Sequence, residues 1–139
     1  MVIDHIGVVV KSIEVAVERW VRLFGYRQQT MPILNTRQGV IVVFLEKDGS
    51  LPVKLIEPSD AGSSVYALAQ RGGGLHHLCF RCESVDTEVA RLQAQGVRII
   101  SPQQPGEAFA NEMIAFVYAG DGLNIELIDT ARRAGLLVG

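Results

Sequence analysis

The stretch IDHIGVVVKSIE, residues 3–14, decides the fold once it is laid over LHHLCFRCESVD, residues 75–86. Each is an apolar run carrying a histidine, followed by a serine and an acidic residue. At an offset of 72, Ile3 and His5 fall on Leu75 and His77, and Ser12, Ile13 and Glu14 on Ser84, Val85 and Asp86. The same offset carries Val17 and Arg19 onto Val89 and Arg91, and Phe44 onto Phe116. It also carries Lys54, Leu55, Ile56 and Glu57 onto Glu126, Leu127, Ile128 and Asp129. Matches at both ends and in the middle read as an internal repeat.

Each copy opens on a strand rich in β-branched or aromatic residues. A serine N-cap with an acidic first turn follows, Ser12 with Glu14 and Ser84 with Asp86. The next residues have helical spacing: Ala16, Trp20 and Leu23 with Val17, Val21 and Phe24, then Val85, Val89 and Leu92. Gly25 and Gly96 stop the two helices. Three strands complete each unit, near 26–34, 40–46 and 53–57, then 97–100, 112–118 and 123–128. Asp48-Gly49 and Asp121-Gly122 supply turns between the last two strands of each unit. The expected class is therefore α+β, two tandem βαβββ modules facing a concave sheet cleft. The units run approximately 2–57 and 74–129, joined by a linker, 58–73, with a short helix near 65–71.

The length of 139 residues and a hydrophobic share of 48% fit a single domain, 1–139. A net charge of -2 without a basic patch excludes nucleic acid as partner. No apolar run approaches the roughly 20 residues needed to span a bilayer. The first ten residues reach Asp4 with no basic segment, so they read as a strand and not a signal, and place the chain in the cytoplasm. Cys79 and Cys82 have C-x-x-C spacing, but on a strand they point to opposite faces and read as separate packed thiols.

Strand alternation aims the polar side chains. With Ile6, Val8 and Val10 packed on the helix, His5 points to the concave face, and with Leu78, Phe80 and Cys82 packed, His77 does the same. Lys54 lies between Val53 and Leu55, and Glu126 between Ile125 and Leu127, each aimed at the cleft. The pseudo-twofold brings these four together. His5, His77 and Glu126 suit zinc, cobalt, nickel, manganese or iron, and three protein ligands leave open positions for catalysis. The competing reading is a polar cleft in which Glu126 pairs with Lys54.

The segments DHIGVVVKSIEVAVERWVRLFGY, VKLIEPSD, GGGLHHLCFRCESVD and IAFVYAGDGLNIELID resemble the vicinal oxygen chelate superfamily, which includes glyoxalases, bleomycin resistance proteins and dioxygenases. The branch they are most similar to is that of methylmalonyl-CoA epimerase and glyoxalase I, over about residues 2–129. The resemblance implies paired βαβββ modules, a homodimer and a divalent metal held at His5, Lys54, His77 and Glu126. Lys54 departs from the pattern, since relatives carry Glu or Gln there. Val42 stands where epimerase relatives carry a glutamate base, so two-base epimerisation in its literal form is not implied.

Three functions remain open. One is a metal-dependent isomerase, epimerase or lyase that passes a small substrate through an enolate-like anion, with Glu126 and Lys54 as catalytic groups. Another is a metal-free protein that sequesters a small molecule. A third is a facial-triad dioxygenase, for which no extra acid–base histidine is expected, because His76 alternates to the wrong face. Trp20 and Phe24 read as helix-face core. Arg81 shares the face of His77 and is read either as a substrate contact or as paired with a carboxylate. Phe109 and Asn111 lie in a loop placed to cover the cleft, and Arg132 and Arg133 in a solvated tail.

Overall fold

A computed structural model describes residues 1–137. Unit one runs β1 (Val2–Val9), α1 (Ile13–Phe24), β2 (Arg27–Gln28), β3 (Ile33–Asn35), β4 (Val40–Glu46) and β5 (Val53–Pro58). A short helix α2 (Tyr66–Gln70) leads to unit two: β6 (Gly74–Arg81), α3 (Val85–Ala94), β7 (Arg98–Gly106), a 3-10 turn Glu107–Phe109, β8 (Glu112–Tyr118) and β9 (Asn124–Ile128). All nine strands form one sheet in the order β2-β4-β5-β1-β6-β9-β8-β7, with β3 also on β4.

The repeat recurs bond for bond. Ser12 accepts from the Val15 amide and Ser84 from the Thr87 amide, each as an N-cap. A carboxylate from the unit's closing segment caps the same helix: Glu57 accepts from the Ile13 amide at 2.9 Å, and Asp129 from the Val85 amide at 2.9 Å. In each unit the first strand lies parallel to the last, β1 on β5 and β6 on β9. The units join edge to edge through β1 and β6, which run antiparallel. The two modules of one chain thus pair with each other.

The sheet separates three apolar clusters. Ile13 and Ala16 of α1 pack on Val43, Leu45, Val53 and Leu55. Val85 and Val89 of α3 pack on Ala115, Val117 and Leu127. The third cluster fills the concave side and includes Val42, Phe44, Cys79, Phe109, Phe116 and Ile128. Cys79 and Cys82 are free thiols on opposite sides of the sheet. No helix of the described residues is long and apolar enough to cross a membrane.

Several expectations are corrected. The strand expected over 26–34 breaks into β2 and β3, because Pro32 has no amide to donate to a ladder. The strand expected over 97–100 continues to Gly106 through Pro102 and Pro105, which is tolerated because β7 is the sheet's edge and is bulged there. Phe24 is 49% exposed and packs edge-on against Trp20 beside α1, outside the core. Arg133 is not in a solvated tail: its side chain is only 7% exposed.

Candidate metal centre

His5, Lys54, His77 and Glu126 are each at most 1% exposed and meet at the centre of the concave face. His5 Nε2 lies 3.1 Å from Glu126 Oε1, His77 Nε2 lies 3.0 Å from the same oxygen, and the two imidazole nitrogens are 3.4 Å apart. Lys54 Nζ approaches both carboxylate oxygens, at 3.5 and 3.4 Å.

The donor triangle can be tested against a metal ion. An ion about 2.0–2.2 Å from each of three donors in tetrahedral or octahedral array spaces them by about 3–3.5 Å. The observed edges fit. Neutral imidazoles and a carboxylate are also the right donor chemistry for a first-row divalent ion. Lys54 is a poor fourth ligand, since an ammonium has no free lone pair.

Electrostatics agree with that donor set. Burial by itself would raise the Glu126 carboxyl, but the Lys54 ammonium and the two imidazoles outweigh it and hold the group well below the carboxylate range. His77 is pushed down to about 3, chiefly by burial and against the pull of Glu126, so its ring is neutral.

Strand alternation did not reveal the residues beside these rings. Two bulges interrupt the β1–β6 ladder: Ile3 and His5 face Phe80 and Cys79, and Gly7 and Val8 face His77 and Leu75. Each leaves one residue over, Asp4 on β1 and His76 on β6. A bulge re-aims a side chain against the period of two. Asp4 is therefore buried, with Oδ2 2.7 Å from His5 Nδ1. His76, expected on the far face, instead has Nδ1 2.8 Å from His77 Nδ1 and lines the cleft. Asp4 and His76 are 72 positions apart, so the bulge itself is repeated. The only sequence signal was adjacency to the two histidines.

Gly7 was also missed. It lies opposite His77, and a Cβ there would come within 2.2 Å of the ring, so only glycine leaves room. Cys79, the equivalent residue in unit two, lies opposite His5. Phe109 packs against His5 with ring centroids 6.0 Å apart, beneath the cleft and not over it. Arg81 lies 3.6 Å from the Asp4 carboxylate.

The open part of the cleft, about 720 Å3, lies on the His77 side. Val40, Val42, Ile56 and Phe116 give it apolar walls, Lys54, His76 and His77 its floor, and Arg37, Ser63 and Ser64 lie farther round its lining.

The family model described as the glyoxalase/bleomycin resistance protein/dioxygenase superfamily matches residues 4–116. The chain belongs to this superfamily. Within it, the chain lies in the methylmalonyl-CoA epimerase-like branch. It is 32% identical to the uncharacterised protein YqjC of Bacillus subtilis, over 91% of each chain. The crystal structure of methylmalonyl-CoA epimerase from Mycobacterium tuberculosis has a TM-score of 0.81 and 31% identity, covering 93% of this chain and 87% of that one. A Streptomyces coelicolor methylmalonyl-CoA epimerase variant in complex with 2-nitronate-propionyl-CoA has a TM-score of 0.79 and 30% identity, covering 93% and 96%. The superfamily's paired βαβββ fold is thus shared over nearly the whole chain.

Proposed function

We propose that this protein is a metal-dependent isomerase, epimerase or lyase acting on a small carbonyl substrate through an enolate-like anion. Acyl-CoA thioesters are the favoured substrate class. The observation that carries the reading is the donor triangle of His5, His77 and Glu126, with edges of 3.0 to 3.4 Å. A Streptomyces relative's ligand supports the substrate class, because a nitronate is a planar anion with two neighbouring oxygens, as an enolate complex would present.

When bound, the ion would supply Lewis-acid stabilisation of negative charge on the substrate oxygens. The protein's own groups do the rest. His5 and His77 are fixed in orientation by Asp4 and His76. With a substrate filling the cleft, its apolar walls would help to exclude water and strengthen the field of Lys54. Lys54 Nζ, facing the cleft and 3.4 Å from Glu126 Oε2, would take the proton from the carbon beside the carbonyl as the free amine and return it as the ammonium, with the Glu126 carboxylate as its counter-ion. Val42 cannot take a proton, so this centre works with one proton-moving face and not with carboxylate bases on two. That favours isomerase or lyase chemistry over epimerisation by two carboxylates.

Metal analysis of tag-free protein, followed by cobalt(II) titration, tests the reading. Stoichiometric metal, lost in His77→Ala, is the expected result. A second reading, a metal-free protein that sequesters a small molecule, is favoured by the Lys54–Glu126 pair, which neutralises the carboxylate without an ion. Failure of zinc, cobalt and nickel to bind the wild type would put that reading first.

A further inference from the structure

Beyond β9 the chain crosses back over the molecule. The Ala134 amide donates to the Ala108 carbonyl in unit two, at 2.9 Å. The Met31 amide donates to the Gly135 carbonyl at 2.8 Å, the Leu137 amide donates to the Gln29 carbonyl at 2.9 Å, and Thr30 forms a β-bridge with Leu136. These last contacts are all in unit one. Gly135 passes so close that a Cβ would lie 2.7 Å from Ile33 Cδ1, and its φ of 68° favours glycine as well. The segment is a strap tied to both units.

The strap carries Arg133 inward. Its guanidinium carbon lies 4.3 Å from the Phe44 ring centroid and 5.1 Å from that of Phe109, one ring from each unit. Nη2 donates to Asp4 Oδ2, the same oxygen that faces His5 Nδ1. Nε has no hydrogen-bond partner among the described residues, so the group is seated for Asp4 and the two rings more than for its own saturation.

We infer that Arg133 is a positioning residue for the metal centre: delivered by the C-terminal strap, it holds Asp4 against His5 Nδ1 and so turns His5 Nε2, as the lone-pair nitrogen, toward the donor triangle. A neutral imidazole has one N–H. With Nδ1 donating to Asp4, Nε2 is left as the metal-binding nitrogen, which is how a carboxylate fixes the tautomer of a ligating histidine. Without Arg133, the buried Asp4 carboxylate keeps, among the described residues, the longer ion pair with Arg81, at 3.6 Å and on an exposed side chain. In unit two the equivalent position beside His77 Nδ1 is held by His76, at 2.8 Å.

This inference rests on the metal-centre reading, and the experiment separates the two. Arg133→Met preserves length and removes the fork; Arg133→Lys preserves the charge; Arg132→Met, one position away on a side chain 71% exposed, is the control. Cobalt(II) affinity by calorimetry and the cobalt visible spectrum are read on the full chain. The His5 tautomer is read by nitrogen NMR on metal-free protein. Arg133→Met is expected to weaken cobalt by roughly 10–100-fold, shift the visible bands and mix the His5 tautomers. Arg133→Lys should fall between it and the wild type, and Arg132→Met should match the wild type. Wild-type affinity and a wild-type tautomer in Arg133→Met would overturn the inference. If Arg133→Met does not fold, unchanged affinity and tautomer in Arg133→Lys overturn it in its place. If the wild type binds no cobalt, the metal reading falls, and the tautomer arm alone decides the role of Arg133.

Discussion

The two sides of the concave face have the same backbone and opposite fates. On the first, Asp4, His5 and Phe44 are closed over by Phe109 and by Arg133 on the C-terminal strap. On the second, the equivalent His76, His77 and Phe116 line an open cleft. Each side has a bulge before its histidine and a partner for that histidine's Nδ1. The partner is an anion on the closed side and an imidazole on the open one. A duplicated module thus gives a symmetric donor set, while substitutions at equivalent positions make one half a rigid support and the other a binding surface. The last strands diverge in the same way, Lys54 in unit one against Glu126 in unit two.

The largest test of this contrast removes the anion that both sides share. Glu126→Gln leaves Lys54 charged and unpaired in a site only 1% exposed. Breaking one partner of a buried pair costs about 3–5 kcal/mol. Urea unfolding should show that loss, and metal retention should vanish with it. A variant as stable as the wild type would mean that Lys54 reaches water or loses its proton without penalty.

A smaller effect separates the sides directly. Gly7→Ala puts a methyl into the His77 ring, and overpacking of this kind costs roughly 1–3 kcal/mol; here the upper end is expected, since the obstacle is a buried ring. Cobalt affinity should fall as well, because His77 must move. At the equivalent position opposite His5, Cys79→Ala only shortens a side chain and should cost about 1 kcal/mol or less, with cobalt binding kept. Equal losses in the two variants would break the comparison.

How far the sequence carried this description depends on the kind of residue. The repeat was legible because apolar spacing and serine caps recur at one offset, and with it the convergence of His5, Lys54, His77 and Glu126. Asp4 and His76 were hidden because a bulge cancels the period of two on which strand reading relies. Arg133 was hidden for another reason. Its burial depends on contacts to Ala108, Gln29 and Met31, far away in sequence, and no local pattern announces them. Gly7 read as one more small residue in a strand until its cross-strand neighbour was known.

Acid should also discriminate between the sides. His77 falls from an ordinary 6.5 to about 3 through burial, and His76 is lowered for the same reason. Between those values the unfolded chain binds protons that the folded chain does not, so stability falls as pH falls. For His77 alone, moving from pH 6.5 to 5 should cost metal-free protein roughly 1–2 kcal/mol. On the closed side Asp4 is lowered: burial would raise it, but the His5 hydrogen bond and Arg133 prevail. Its contribution is present above its ordinary 3.8 and is lost only as pH falls through its lower folded value. Urea midpoints at pH 6.5 and 5 in wild type and His77→Gln check this. The same pH dependence in both proteins would remove His77 as the cause.

The smallest expected effect concerns Lys54, which stands where the family resemblance implies an oxygen ligand. Its ammonium lies 3.4 Å from Glu126 Oε2, beside the donor triangle. While charged it repels an entering divalent ion and competes for the carboxylate the ion needs. Lys54→Gln removes that charge, keeps an N–H donor for Glu126 and adds an amide oxygen that can ligate. Cobalt should then bind roughly tenfold more tightly, equivalent to about 1.4 kcal/mol, and turnover of an acyl-CoA substrate should fall because the proton-moving group is gone. Calorimetry and a deuterium-exchange assay on the acyl-CoA α-carbon would be read together on the same two proteins. Tighter metal with lost exchange supports Lys54 as a catalytic group placed at the expense of affinity. Unchanged or weaker affinity would show that the lysine's charge does not limit the site, and that the donor triangle is already insulated from the residue standing opposite Glu126.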